Sequence, residues 1–188
     1  MSTRASRHGG GHAFRLSEVA SLPAGNRDTT PRPPTKVFGL LYGLGFGGFV
    51  DGIVLHQILQ WHHMVSDVQN YPTATLAGLE ANTLADGFFH VATWALLFSA
   101  SLLAIRAWQR GRLAPTWRFH LGLVVTGWGL FNLVEGAVNH HVLGVHHVRD
   151  DLGAPVAWDL GFLAVGALLV LGGLLMHRRG ARALVRDP

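Results

Sequence analysis

From Gly161 to Leu175 the chain carries no charged residue, and this run sits inside the last of four long apolar blocks: Val37 to Gln60, Leu84 to Trp108, Trp117 to Leu143, and Ala157 to Met176. A helix rises 1.5 Å per residue, so roughly 20 residues cross a hydrocarbon core about 30 Å thick, which is the length of each block. A soluble helical bundle would need a polar face on each block, and Phe98 to Ile105, like the run in block four, offers none. Glycines recur in block one at Gly39, Gly43, Gly45, Gly47 and Gly48. In water each would weaken a helix by up to about 1 kcal/mol. In a bilayer the helix satisfies its own backbone, and small residues let neighbouring helices approach closely. The expected fold is all-α, a polytopic membrane bundle of four helices in contact with lipid.

Outside the blocks the chain divides simply. Residues 1–35, rich in Arg, Gly, Ser and Pro without apolar periodicity, read as a disordered tail; 36–178 form the membrane domain, and 179–188 a short basic tail. Of the fifteen Arg and Lys residues, six precede block one, four lie between Arg106 and Arg118, and four follow block four, leaving only Arg149 on the opposite side. The positive-inside rule then places both termini and the middle loop in the cytoplasm, with two loops outside. Basic residues so dispersed make an orientation signal and not a nucleic-acid surface. With no cysteine, disulfides, iron–sulfur clusters and thiolate metal ligands drop out.

Blocks one and three repeat each other. Gly43 to His63 and Gly127 to His147, offset by 84, agree at nine of 21 positions: Gly43, Gly45, Val50, Gly52, Val54, His56, Leu59, His62 and His63 recur as Gly127, Gly129, Val134, Gly136, Val138, His140, Leu143, His146 and His147. Asp51 is answered by Glu135, so both halves read acid-Gly-x3-His-x5-His-His. Blocks two and four match more loosely through Gly87-Phe88 and Gly161-Phe162, with no ionisable counterpart in block four for Asp86 or His90 beyond Asp159 near its outer end. The unit is a helical hairpin, repeated in parallel about an axis near the membrane normal.

Depth sorts the polar residues. If blocks one and three reach the outer interface near Gln60 and Gly144, His56 and His140 lie about 6 Å below it and Asp51 and Glu135 about 13 Å below it, while block two brings in Asp86 about 3 Å and His90 about 9 Å deep. Asp51 and His56 are five apart and about 140° around a regular helix, so they meet on one ion only if the helix is distorted. His62, His63, His146 and His147 fall at the helix ends, to fold back as ligands or form a separate outer site. Ionisable groups within a membrane are costly and face a bundle interior. The candidate metal ligands are therefore Asp51, His56, His62, His63, Asp86, His90, Glu135, His140, His146 and His147.

Imidazole with carboxylate suits one or two transition-metal ions: zinc, iron or, with more imidazole, copper. The Glu-x-x-His pair of di-iron bundles and the His-Glu-x-x-His of zinc peptidases are both absent. Haem on two axial histidines would want an apolar slot more than a ring of acids, and a proton path would need polar residues through the inner half. A polar network that only fixes packing is the non-catalytic alternative, and the residues alone leave catalysis and oligomeric state undecided.

The segments GFVDGIVLHQILQWHHM, ADGFFH and NLVEGAVNHHVLGVHHVRD resemble a bacterial family of integral membrane proteins known as a domain of unknown function, over roughly Val37 to Met176. The resemblance implies four transmembrane helices and retention of Asp51, His56, Glu135 and His140, with no established activity. It also implies a genomic setting near cytochrome oxidase assembly factors, and so an expectation of copper handling or of respiratory-chain and metal-handling partners.

Overall fold

The computed structural model describes residues 33–186, so nearly all of the expected N-terminal tail lies outside the described residues. Helix α1, Val37–Val50, runs without a break into a π-helical stretch, Asp51–Ile58. Helix α2 spans Leu76–Gln109 and opens on Thr75, whose hydroxyl accepts from the backbone N–H of Gly78. Helix α3, Trp117–Glu135, also continues into a π-helical stretch, Gly136–Leu143. After a 3₁₀ turn at Asp150–Leu152, α4 covers Val156–Arg186 and so stays helical through most of the 179–188 segment. There is no strand among the described residues, and all four helices, counting each π-helical stretch with its parent, are long and apolar enough to cross a membrane.

The helices stand in the order α2, α1, α3, α4: α1 packs on α2 and α3, and α3 packs on α4, with no packing between α2 and α4 among the described residues. Glycine sets the inner pair. A Cβ on Gly43 would fall 2.0 Å from the carbonyl oxygen of Val124, and one on Gly127 would fall 2.2 Å from that of Leu40. Nothing larger than hydrogen fits where the two backbones touch. The outward faces of α2 and α4 expose Phe88, Val91, Trp94, Phe98, Leu168 and Leu171, which suits lipid.

At the end of the bundle opposite Val37 and Arg186, the loops 59–75 and 144–155 are laced together. Asp67 N–H donates to Val145 O (3.1 Å), Asp151 N–H donates to Trp61 O (3.2 Å), and the Ser66 hydroxyl donates to the Asp150 carboxylate. The Arg149 guanidinium lies 4.4 Å from the Trp61 ring and 5.0 Å from that of Trp158, and is also bonded twice by Asp151. This crossed pair of loops roofs the polar layer of the spans.

Candidate metal centre

The distortion that an acid and a histidine five residues apart require is the π-helix. Hydrogen bonding from i to i+5 widens the turn and brings positions five apart onto one face. Leu59 N–H accordingly donates to Val54 O at 2.8 Å. Asp51 Oδ2 then lies 3.2 Å from His56 Nε2, and Glu135 Oε1 lies 3.3 Å from His140 Nε2.

Each π-helical stretch ends in a left-handed residue, Gln60 (φ 51°) and Gly144 (φ 57°). The next N–H folds back in both places, Trp61 to Leu55 O (2.9 Å) and Val145 to Asn139 O (3.1 Å). The turn swings His62 and His146 beneath the roof, where each is held by the other loop: His62 Nδ1 donates to Val148 O and His146 Nδ1 donates to Met64 O, both at 3.1 Å. A carbonyl can only accept, so both rings carry a proton on Nδ1 and turn Nε2 to the interior, without a hydrogen bond in His62 and 2.8 Å from Glu135 Oε1 in His146. Burial, reinforced by the neighbouring imidazoles of His146 and His56, pushes His62 down to about 2, so its ring is neutral.

Carboxylates from the flanking helices hold the remaining rings. Asp86 of α2 accepts from His56 Nδ1 (2.9 Å), His63 Nδ1 (2.7 Å), Gln57 Nε2 (2.9 Å) and Met64 N–H (2.9 Å). Asp159 of α4 accepts from His147 Nδ1 (2.7 Å) and Val148 N–H (2.9 Å), with His140 Nδ1 3.3 Å away. Phe89 stacks on His56 and Phe162 lies against His140.

Six groups therefore converge: Asp51, His56 and His62 from the first half, Glu135, His140 and His146 from the second. The four imidazoles are 0–2% exposed, and neighbouring ring centroids are 4.5 Å (His56–His62), 4.7 Å (His62–His146) and 5.0 Å (His140–His146) apart. Both Asp51 oxygens, Glu135 Oε2 and the Nε2 atoms of His56, His62 and His140 are buried without a hydrogen bond; the 3.2–3.3 Å approaches are close but misaligned for one. A charged side chain in a membrane helix costs about 3 kcal/mol on insertion scales, and an unpaired one has nothing to offset it. Two sets of side chains have metal-ligand spacing: His56, His62 and His146, and likewise Glu135, His140 and His146, offer atoms within 4.8 Å of one another.

Three other expected ligands stand one step back: Asp86 bonds the His56 ring and His63, and His147 bonds Asp159. His90 lies apart, its ring centroid 6.0 Å from Phe49 and its Nε2 beside Gly52, where a Cβ would come within 2.6 Å. Gly136 meets Leu163 in the same way, at 3.0 Å. His90 thus occupies the place that a leucine fills in the second half, and its Nε2 has no hydrogen-bond partner. His141, which stands where the first half has Gln57, is exposed.

The residue that sequence reasoning missed is Asp159. Matching Gly87-Phe88 to Gly161-Phe162 sets blocks two and four one residue out of step, whereas the contacts pair Asp86 with Asp159, Phe89 with Phe162 and His90 with Leu163. The available signal was an acid just before Gly-Phe in both blocks, hidden by one intervening leucine in the second. Above the centre a polar vestibule of about 600 Å³ is lined by Trp61, His62, His63, Ser66, Asp67 and Asp150, among others, and His62 borders it from the centre's side.

The family model described as "Predicted membrane protein (DUF2243)" matches residues 38–180. No curated protein and no solved structure matches the chain.

Proposed function

The chain belongs to the DUF2243 family of predicted membrane proteins, and from the geometry of its polar layer we propose that it is a membrane-embedded metalloprotein, a metal-dependent oxidoreductase with its centre near the extracytoplasmic face. One observation carries the reading: four buried imidazoles are anchored or approached at Nδ1 by a carbonyl or carboxylate, and the Nε2 atoms of His56, His140 and His146 lie 2.8–3.3 Å from the buried Asp51 or Glu135. Anchoring the far ring nitrogen is how proteins fix the tautomer and orientation of a metal-binding histidine.

Each half contributes two imidazoles and one carboxylate. That donor set suits non-haem iron and leaves coordination positions open for a substrate, while zinc accepts the same ligands and copper favours the imidazoles. A bound metal would supply Lewis acidity or electrons there. The protein's own part is to hold four imidazoles in place, exclude lipid with Phe89 and Phe162, and admit small polar molecules through the vestibule beside His62. Orientation rests on the basic residues of the sequence, of which only Arg149 falls in the two loops that roof the polar layer.

A network that only fixes packing fits less well, because such a network satisfies its buried polar atoms and this one leaves several without a hydrogen bond. Haem also fits less well, because Asp51 and Glu135 stand where the ring would need an apolar slot. An assembly factor that carries copper for a respiratory oxidase would use the same ligands and rests on the family resemblance alone. The test is metal analysis by mass spectrometry on detergent-purified protein. Bound transition metal that disappears in the His56→Ala/His140→Ala double variant supports the reading, and metal unchanged by that pair of substitutions overturns it.

A further inference from the structure

We infer that the centre is dinuclear, each half holding one divalent transition-metal ion: Asp51, His56 and His62 at one, Glu135, His140 and His146 at the other, with the facing His62 and His146 rings at the seam. This rests on the metal reading above and goes further in fixing the number of ions and their division between the halves.

Three observations carry it. The first is reach. His146 belongs to both sets of ligand atoms that lie within 4.8 Å of one another, His56–His62–His146 and Glu135–His140–His146; among the described residues no such set contains His56 and His140 together, and Asp51 joins the first through His56 alone, 3.2 Å away. One ion cannot use all four imidazoles as they stand, whereas two ions can. His62 and His146 are parallel, 11° between planes, at the boundary of the two sets.

The second is the spacing of acid and imidazole. Two ligands about 2.1 Å from a common ion sit roughly 3.0–3.4 Å apart at angles between square and tetrahedral. Asp51 and His56 are separated by 3.2 Å and Glu135 and His140 by 3.3 Å, neither aligned as a hydrogen bond. Glu135 Oε1 is also 2.8 Å from His146 Nε2, whose other ring nitrogen is held by the Met64 carbonyl, so the Glu135 carboxylate reaches two imidazoles of its own half.

The third is charge. Asp51, Asp86, Glu135 and Asp159 are all buried, from 0% to 6% exposed, and among the described residues their only ion-pair partners are histidines. Four buried carboxylates without a Lys or Arg partner among the described residues bring up to four negative charges together, which two divalent ions offset and one does not.

Cobalt(II) titration of metal-stripped, detergent-purified full-length protein, followed by the visible d–d absorption, tests the count. The expected result is saturation at two equivalents per chain, falling to one in His56→Ala, to one in His140→Ala and to none in the double variant. Where an alanine variant does not elute as a single species, the His56→Gln and His140→Gln variants are read in the same way. Saturation of the wild-type protein at one equivalent overturns the dinuclear inference and leaves the metal reading standing. No saturable binding overturns both. Two equivalents that no single-half variant reduces also overturn the inference, because the ions would then lie elsewhere.

Discussion

The two halves of the molecule, 37–109 and 117–186, build the same device from different materials. Each has a helix ending in a π-helical stretch, a left-handed turn, a histidine pair folded under the roof, and a flanking helix whose aspartate grips the outer histidine of the pair. Where they differ, the difference separates what the device needs from what it tolerates. The acid can be Asp51 or Glu135, and the longer glutamate reaches both His140 and His146 while the aspartate meets only His56. The left-handed turn can be Gln60 or Gly144. Asp86 accepts four hydrogen bonds and Asp159 two. The parts held in common are the ones that aim Nε2 atoms inward.

The strongest way to break the comparison is to part the halves where they touch. Gly127→Leu puts side-chain atoms where a Cβ already lies 2.2 Å from Leu40 O, and should cost about 3 kcal/mol or more. Gly161→Leu, at a glycine with nothing within 4 Å, should be silent. Size-exclusion profiles of the two purified variants check this, and similar profiles would mean that the α1–α3 contact does not organise the fold.

Next in size is the loss of a flanking aspartate. Asp86→Ala and Asp159→Ala should each weaken metal retention against a chelator by about 10- to 100-fold, the range for removing a residue that orients a ligand. The larger effect should come from Asp86, because it supports more groups. Equal losses would show that the extra bonds to Gln57 and Met64 add nothing.

A smaller effect distinguishes the turns. Gln60→Gly should stabilise the first half by about 1 kcal/mol, since a left-handed conformation costs a side-chain-bearing residue that much. A rise of a few degrees in the thermal unfolding midpoint is the readout, and a fall would mean that the Gln60 side chain has a role of its own. The smallest effect is at His90. His90→Leu copies Leu163 and should leave metal content unchanged within error, and loss of metal would return His90 to the centre.

The four spans were legible because a bilayer demands length and continuous apolarity, and both are written in composition. The pairing of Asp51 with His56 and of Glu135 with His140 was legible as a repeat, but regular helical geometry set the members of each pair 140° apart. Only the three-dimensional backbone shows the π-helical register that removes the conflict. The roles of His62 and His146 were left open because they lie past the helix ends, where the fold-back depends on carbonyls of the opposite loop, Val148 and Met64, that carry no residue-specific signal. Asp159 was hidden by a one-residue shift, to which a gapless match of apolar blocks is blind. His90 reads as a ligand by its depth in the membrane, and depth does not say which way a ring faces.

The central claim is that imidazoles from both halves bind the same metal centre. X-ray absorption at the metal edge, on purified wild-type protein and on the His56→Ala/His140→Ala variant, tests it most directly. The account predicts outer-shell imidazole scattering around nitrogen and oxygen ligands at about 2.0–2.2 Å, sharply reduced or lost in the variant. A wild-type spectrum without imidazole scattering, or one that the double substitution leaves unchanged, would contradict it.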